Sequence, residues 1–335
     1  MPFFAPFFLF FLLFSVCPGF ASSAWSLELV PFNTTNQSPL VAIYGLPAAG
    51  PARVLAPGRI SAELRADIVS NFTRARATQE DILLDGETYR YTLALKHGIG
   101  ERLEIGLEVP YVMHREGFLD SFINDFHDTF GFPDGSRSEV PKDRLAYSYI
   151  KDGRTLIDLD EEEEGFGDLR LTGAWQLCSS QEEDGAQALA LRASLKLPTG
   201  DEDNLLGSGS TDFALWLTGS RSFRGGSLAL FAAAGGLLMS DGDVLEDQQR
   251  NAVAFGTLGG GWRPLPRLAL KLQFDGHTPF YRDSGLRELD GSVQLALGGT
   301  IGLTETIDLD LAVVEDIIAD SAPDVVFHLA LRKTF

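Results

Sequence analysis

From Arg59 to the last residue, Phe335, the side chains alternate between apolar and polar with a period of two. A chain patterned this way over most of its length must build sheet. Ile60, Ala62, Leu64, Ala66 and Ile68 point one way, and Ser61, Glu63, Arg65, Asp67 and Val69 the other. The alternation returns at 89–96, 103–111, 168–175, 189–197, 213–217, 228–230, 253–255, 268–275, 292–297, 307–311 and 325–332. That makes about twelve runs of roughly ten residues, the length a tilted strand needs to cross a bilayer.

The joints between runs carry a second signal. Those at 97–100, 223–226, 263–266 and 302–305 are short, whereas 73–87, 115–165, 199–210, 240–250, 278–288 and 315–323 are longer and more polar. Short turns on one side and long loops on the other are the habit of a membrane barrel, and a soluble sandwich gives no reason for them. After the N-terminal region, no segment approaches the ~20 continuous apolar residues of a spanning helix. A membrane crossing must then be made by a closed sheet, which satisfies every backbone N–H and C=O. The expected fold is an all-β transmembrane antiparallel β-barrel of about 12 strands. Phe72, Tyr89, Tyr111, Phe213 and Phe274 near the long-loop ends, with Trp175 and Phe335 near the short-turn ends, match the aromatic belts of such barrels.

The first residues read as an export signal, 1–24. Residues 3–16 are almost unbroken apolar side chain, and Ala21-Ser22-Ser23-Ala24 supplies small residues for cleavage after Ala24, with Ala21 as a second candidate. No Lys or Arg precedes the apolar core. A membrane anchor is the alternative, but the stretch is short for one. Residues 25–58 then form an N-terminal periplasmic or lumen segment and 59–335 the barrel. Cys17 leaves with the signal, so Cys178 stands alone and no intramolecular disulfide forms. One Cys and five scattered His do not make a metal centre. The formal net charge of -20 argues against nucleic acid as a partner, because phosphates are neutralised by Lys and Arg. No cofactor is expected.

Two segments do not alternate. Residues 25–58 are rich in Pro, Ala and Gly, with Leu40, Val41, Ile43, Tyr44, Leu46, Val54 and Leu55 as apolar points. Such side chains call for cover, so this segment is expected in the barrel mouth or lumen rather than as a free tail. Phe231 and Ala233, with Ala252 and Ala254, are expected as the small or apolar lumen wall that receives it. In the long extracellular loop 115–165, Phe118, Phe122, Phe126 and Phe130 recur every fourth residue, which predicts a short helix with one aromatic stripe. The stripe is a candidate gate or ligand contact, with His127 beside it; a helix lying on the rim or the lipid surface is the alternative. The acidic run 158–164 reads as a solvated face able at most to bridge divalent cations to lipopolysaccharide. Charges of both signs on the lumen face should pair across it, which argues against a wide pore.

The terminal strand, ending in Phe335, resembles the C-terminal signal by which the barrel assembly machinery reads outer-membrane barrels. More narrowly, the chain is similar to a family of uncharacterised outer-membrane β-barrels, akin to barrels found with aromatic-degradation clusters. The resemblance lies in Asn36-Gln37-Ser38-Pro39-Leu40, Tyr44-Gly45-Leu46-Pro47, residues 120–132, Gly165-Phe166-Gly167-Asp168, Leu197-Pro198-Thr199-Gly200 and Gly207-Ser208-Gly209. It implies the outer membrane of a Gram-negative bacterium, with outer-membrane lipids and lipopolysaccharide as neighbours.

The expected function is a narrow passive channel or uptake barrel for small apolar molecules. A structural or adhesive surface barrel with a closed lumen is the alternative. An outer-membrane lipid hydrolase is disfavoured. Such enzymes set a Ser two residues after a His, but here His97, His114, His127, His277 and His328 are followed at that spacing by Ile99, Glu116, Thr129, Pro279 and Ala330.

Overall fold

A computed structural model describes residues 27–117, 144–182, 184–318 and 321–335. The strands among them are β1 (Ile60–Ala77), β2 (Glu80–Ile99), β3 (Leu103–Arg115), β4 (Ala146–Lys151), β5 (Arg154–Leu159), β6 (Glu163–Phe166), β7 (Leu169–Glu182) and β8 (Gly185–Leu197). They continue as β9 (Asp212–Phe223), β10 (Leu228–Met239), β11 (Ala252–Leu265), β12 (Leu268–His277), β13 (Ser292–Gly302), β14 (Ile307–Ile318) and β15 (Val325–Thr334). β1–β3 and β7–β15 form a closed antiparallel barrel of 12 strands: each pairs with the next, β3 reaches across to β7, and β15 returns to β1. The seam is in register from Ser61↔Thr334 to Ser70↔Val325, and the N–H of Phe335 donates to the Ile60 carbonyl at 2.8 Å.

The period of two becomes an inside and an outside. On β1, Ser61, Glu63, Arg65, Asp67 and Val69 are buried in the lumen, while Ile60 and Leu64 are exposed. Exposed Leu93, Leu107, Leu171, Leu215, Leu230, Leu272 and Leu331 carry an apolar belt around the wall. Leu191 and Leu295 share that face, alternating with buried Arg192 and Ala296. Among the described residues no helix is long and apolar enough to span a membrane. A continuous apolar exterior over a charged interior is stable with lipid as the outer solvent.

Four expectations need correction or limits. The stretch 73–87 is not a loop: β1 and β2 run on past the membrane and turn through Thr78 and Gln79, the latter at φ 65°. Its polar composition obscured the strands, because a strand beyond the lipid needs no apolar belt. The loop 115–165 likewise contains β4, β5 and β6. β4 extends the sheet beside the outer part of β2, and Asp152 and Gly153, both left-handed, make the tight turn to β5. The helix expected at Phe118, Phe122, Phe126 and Phe130, with His127, lies outside the described residues. Finally, Ala252 and Ala254 are exposed on the outer face, and it is Val253 that is buried inside. Both parities of this strand are small or apolar, so composition gives no phase; pairing with β10, which sets Leu237 opposite Val253, decides it.

Candidate functional site

The lumen is occupied by the N-terminal segment, and its polar wall residues make sense as the segment's partners. The segment starts beside the short turn between β11 and β12, where the Leu27 N–H donates to Pro266 O (3.1 Å) and Arg263 donates to Leu27 O (2.5 Å). It then rises along the wall. Gln273 clasps Phe32, accepting from its N–H at 2.8 Å and donating to its carbonyl at 3.3 Å. The Lys271 ammonium sits 3.9 Å from the centre of the Phe32 ring. Asn33 donates to Glu63 (2.6 Å) and its carbonyl accepts from Arg65 (3.1 Å). Near the outer end, Asn36 donates to Ser321 O (3.0 Å) and lies 2.9 Å from His277 Nε2.

At its outer tip the segment turns over and buries the apolar residues that composition alone left without cover. Leu40, Val41, Ile43, Tyr44 and Leu46 join one cluster with Ile82, Tyr147, Tyr149, Leu237, Phe280 and Tyr281 from the extracellular extensions. Tyr44 stacks on Phe280 with ring centres 5.0 Å apart, and the Tyr281 hydroxyl donates to Leu40 O at 2.7 Å. Burial, with Tyr44 beside it, pushes the Tyr281 phenol well above its ordinary range. Burial and then the Glu80 carboxylate, which accepts its hydroxyl at 2.7 Å, push Tyr149 up to about 12.

Below the tip lies a polar latch. Lys196, 2% exposed, extends from β8 between two carboxylates, Asp168 (2.6 Å) and Asp212 (3.2 Å), and donates to Ile43 O (3.2 Å) and to Ser208 Oγ. Asp168 also accepts the backbone N–H groups of Thr199 (2.9 Å) and Gly200 (2.8 Å), and Asp212 accepts that of Gly45 (2.6 Å). Gly45 must be glycine here, since a Cβ would stand 2.8 Å from Asp212 Cβ. A Lys beside a Ser can serve hydrolysis, but this ammonium is committed to two carboxylates and Ser208 is fully buried.

The segment then descends along β7–β9. Trp216 Nε1 donates to Ala49 O (2.9 Å), Arg192 Nε to Pro51 O (3.0 Å), and Gln176 brackets Ala52 O and the Val54 N–H, both at 2.9 Å. Leu55 N–H donates to Glu104 (3.0 Å), and Gly58 N–H reaches Gly98 O (2.9 Å) before β1 begins. Backbone-to-backbone bonds tie the segment to the wall near Leu27 and Gly58, and between these ends at least one partner in each bond to the wall is a side chain. The segment is a plug laid in a finished barrel, with no place in the barrel's strand order.

A cavity of about 40 Å³ remains between the two limbs, faced by Arg65, Asp67, Arg90, Thr92, Glu108 and Arg170 from the wall and by Asn33, Thr35, Tyr44 and Leu46 from the plug. Of the residues singled out from sequence, Phe231 and Ala233 are buried in the lumen, Ala252 and Ala254 face outward, and Phe335 ends the closing strand. Phe231 fills the space that Gly259 leaves on the facing strand, where a Cβ would lie 2.3 Å from its ring. Sequence reasoning missed the latch. Asp168, Lys196 and Asp212 are spread over 45 residues of chain and each reads singly as an ordinary lumen charge. The signal was present in the motifs around Asp168, Gly200 and Ser208, which the latch brings together.

A family described as "Protein of unknown function (DUF3187)" matches residues 7–335. No curated protein matches the sequence. Among solved structures the chain resembles the COG4313 outer membrane channel from Pseudomonas putida F1, with a TM-score of 0.58 and 15% identity over 85% of this chain and 98% of that one. At that identity the likeness shows the fold. Looser overlaps, from which nothing is drawn, are with the CymD monoaromatic hydrocarbon channel (TM-score 0.38, 11% identity, 91% and 94% covered) and the Ralstonia pickettii toluene transporter TbuX (0.36, 13%, 84% and 90%). The fold and its lipid-facing belt make this an outer-membrane β-barrel of the Gram-negative type.

Proposed function

The chain belongs to the DUF3187 family, and we propose that it is a plugged outer-membrane channel for small solutes, with residues 27–58 as the occluding element. One observation carries this reading: the plug is fastened along the lumen by side chains and takes no part in the sheet, so it can shift without opening a barrel seam. A barrel closed purely for rigidity would need only paired lumen charges. Here many lumen groups spend their hydrogen bonds on the plug instead, among them Gln176, Arg192, Trp216 and Gln273. The test is conductance in planar bilayers. Deleting residues 27–58 should turn a low or intermittent conductance into a steady, larger one. A deletion variant that folds and inserts but passes no current would leave only the structural surface barrel.

The solute class expected from the sequence, small apolar molecules, is the second reading. The apolar cluster around Leu40, Tyr44, Tyr147 and Phe280 at the outer mouth favours it, while the charged cavity below favours a polar solute. Liposome uptake of a neutral hydrophobic probe separates the two. On the apolar reading, the double substitution Phe122→Ser and Phe126→Ser should alter that uptake with folding unchanged. Equal leakage from wild type, variant and empty vesicles would end it.

A further inference from the structure

On the lumen wall between the two plug limbs the carboxylates are shared out so that, among the described residues, two of the cations are left without a direct ion pair. Glu108 is shared by Arg65 (3.2 Å) and Arg170 (3.7 Å). The neighbouring acids are engaged from elsewhere: Glu63 by Arg332 (2.9 Å), Glu104 by Arg192 (3.3 Å), Asp168 by Lys196 (2.6 Å), and Asp67 by His328 (2.7 Å). Among the described residues, no carboxylate lies within 4.0 Å of the Arg90 guanidinium or the Lys96 ammonium. Both project inward from β2, six residues apart, roughly 20 Å along a strand. Arg65 and Arg170 stand at heights between them, since Arg65 is opposite Thr92 on β2, and Arg170 is opposite Glu108, itself opposite Ala94. Arg65, 8% exposed, keeps a buried Nε that makes no hydrogen bond although Glu63 lies 3.3 Å away. A buried donor without an acceptor is costly unless something occupies it.

Resting on the reading as a plugged channel, we propose that this wall is an anion path, which chloride and small carboxylates follow from Arg90 past Arg65 and Arg170 to Lys96. The plug leaves about 40 Å³ beside Arg65, Arg90 and Arg170, space for an ion and a few waters. Three carboxylates also border this space, but each is held by a basic side chain, Asp67 by His328, Glu108 by Arg65 and Arg170, and Asp168 by Lys196, while the acids of β12 and β14 do not reach it. Further down, the Lys96 stem lies against Gly106, where a Cβ would stand 3.0 Å from Lys96 Cγ and 2.6 Å from Thr172 Oγ1, so the glycine lets the side chain lie close to the wall. The chain as a whole carries -20, so its long-range field repels anions. In a narrow lumen with low-dielectric walls, however, the nearest unpaired charges set the selectivity.

The test is the reversal potential of the refolded full-length chain in a planar bilayer under a KCl gradient, repeated with potassium acetate. Wild type should prefer the anion over K⁺. Arg90→Gln with Lys96→Gln should reduce that preference by at least about threefold, the factor one unit charge about 6 Å away exerts on a monovalent ion through water. Arg90→Lys should retain it. If the double variant does not fold, as judged by heat-modifiable mobility, the Lys96→Gln single variant carries the same comparison. A K⁺-preferring wild type, or an anion preference unmoved by the substitutions, overturns the anion path and leaves the channel standing. Absence of conductance in both the intact chain and the plug deletion overturns the channel reading, and the path with it.

Discussion

Replacing Gly45 by Ala tests the latch without touching the barrel wall. Gly45 donates its N–H to Asp212 Oδ2 at 2.6 Å, and a Cβ there would stand 2.8 Å from Asp212 Cβ and 3.1 Å from that oxygen. Its φ is not left-handed, so alanine is opposed by its neighbour and not by its own backbone. Relief requires the plug to move off the wall, which breaks a hydrogen bond to a carboxylate worth about 1.5–3 kcal/mol. Residual crowding adds about 1–3 kcal/mol. Together these shift the balance between seated and displaced plug by roughly 2.5–6 kcal/mol, or about two to four orders of magnitude in their ratio. Asp212 keeps Lys196 (3.2 Å) and Ser210 (2.5 Å), so the wall is not left with an orphaned charge. The assay is open probability in planar bilayers, with limited proteolysis of the plug as a second readout. Open time and cleavage should both rise, while the unfolding midpoint of the barrel stays close to wild type. Arg53→Ala, an exposed plug position, is the control. Wild-type gating and protease resistance in Gly45→Ala would refute the latch as the element that holds the plug.

Other perturbations read other parts of the fold. Lys196→Met leaves Asp168 and Asp212 buried without their shared cation and should destabilise the protein by about 3–5 kcal/mol, measured by urea unfolding in lipid. Trp216→Phe removes the bond to Ala49 O and should loosen the descending limb by about 0.5–1.5 kcal/mol, visible as faster amide exchange there. Arg at Leu107, Leu191 or Leu295 should cost roughly 2–4 kcal/mol, and a cost near zero would place these residues outside the lipid. Deleting Phe335 removes both the terminal aromatic and the N–H bonded to Ile60 O, and should sharply reduce heat-modifiable barrel in the outer membrane. Unchanged folded yield would deny Phe335 a role in assembly.

The barrel was legible because each spanning strand must satisfy two solvents at once. Leu93, Leu107 and Leu215 meet lipid and Glu63, Arg192 and Lys196 meet the interior, so the alternation is written residue by residue. It failed where that demand lapsed. β1 and β2 continue beyond the lipid as polar strands, and the start of β11 is small or apolar on both faces, so its composition does not tell Val253 inside from Ala252 and Ala254 outside.

The sequence by itself therefore determined a lipid-facing sheet of about twelve strands, its inside and its outside, because burial in lipid acts on each side chain locally. The apolar points of residues 25–58 already called for cover in the mouth or lumen, but only the tertiary structure decided how that segment is held. The plug has no period to read, and its hold depends on residues such as Gly45, Asp168, Lys196 and Asp212, brought together from distant parts of the chain. Those contacts are set by closure of the sheet, which fixes the lumen's width and which charges face one another across it.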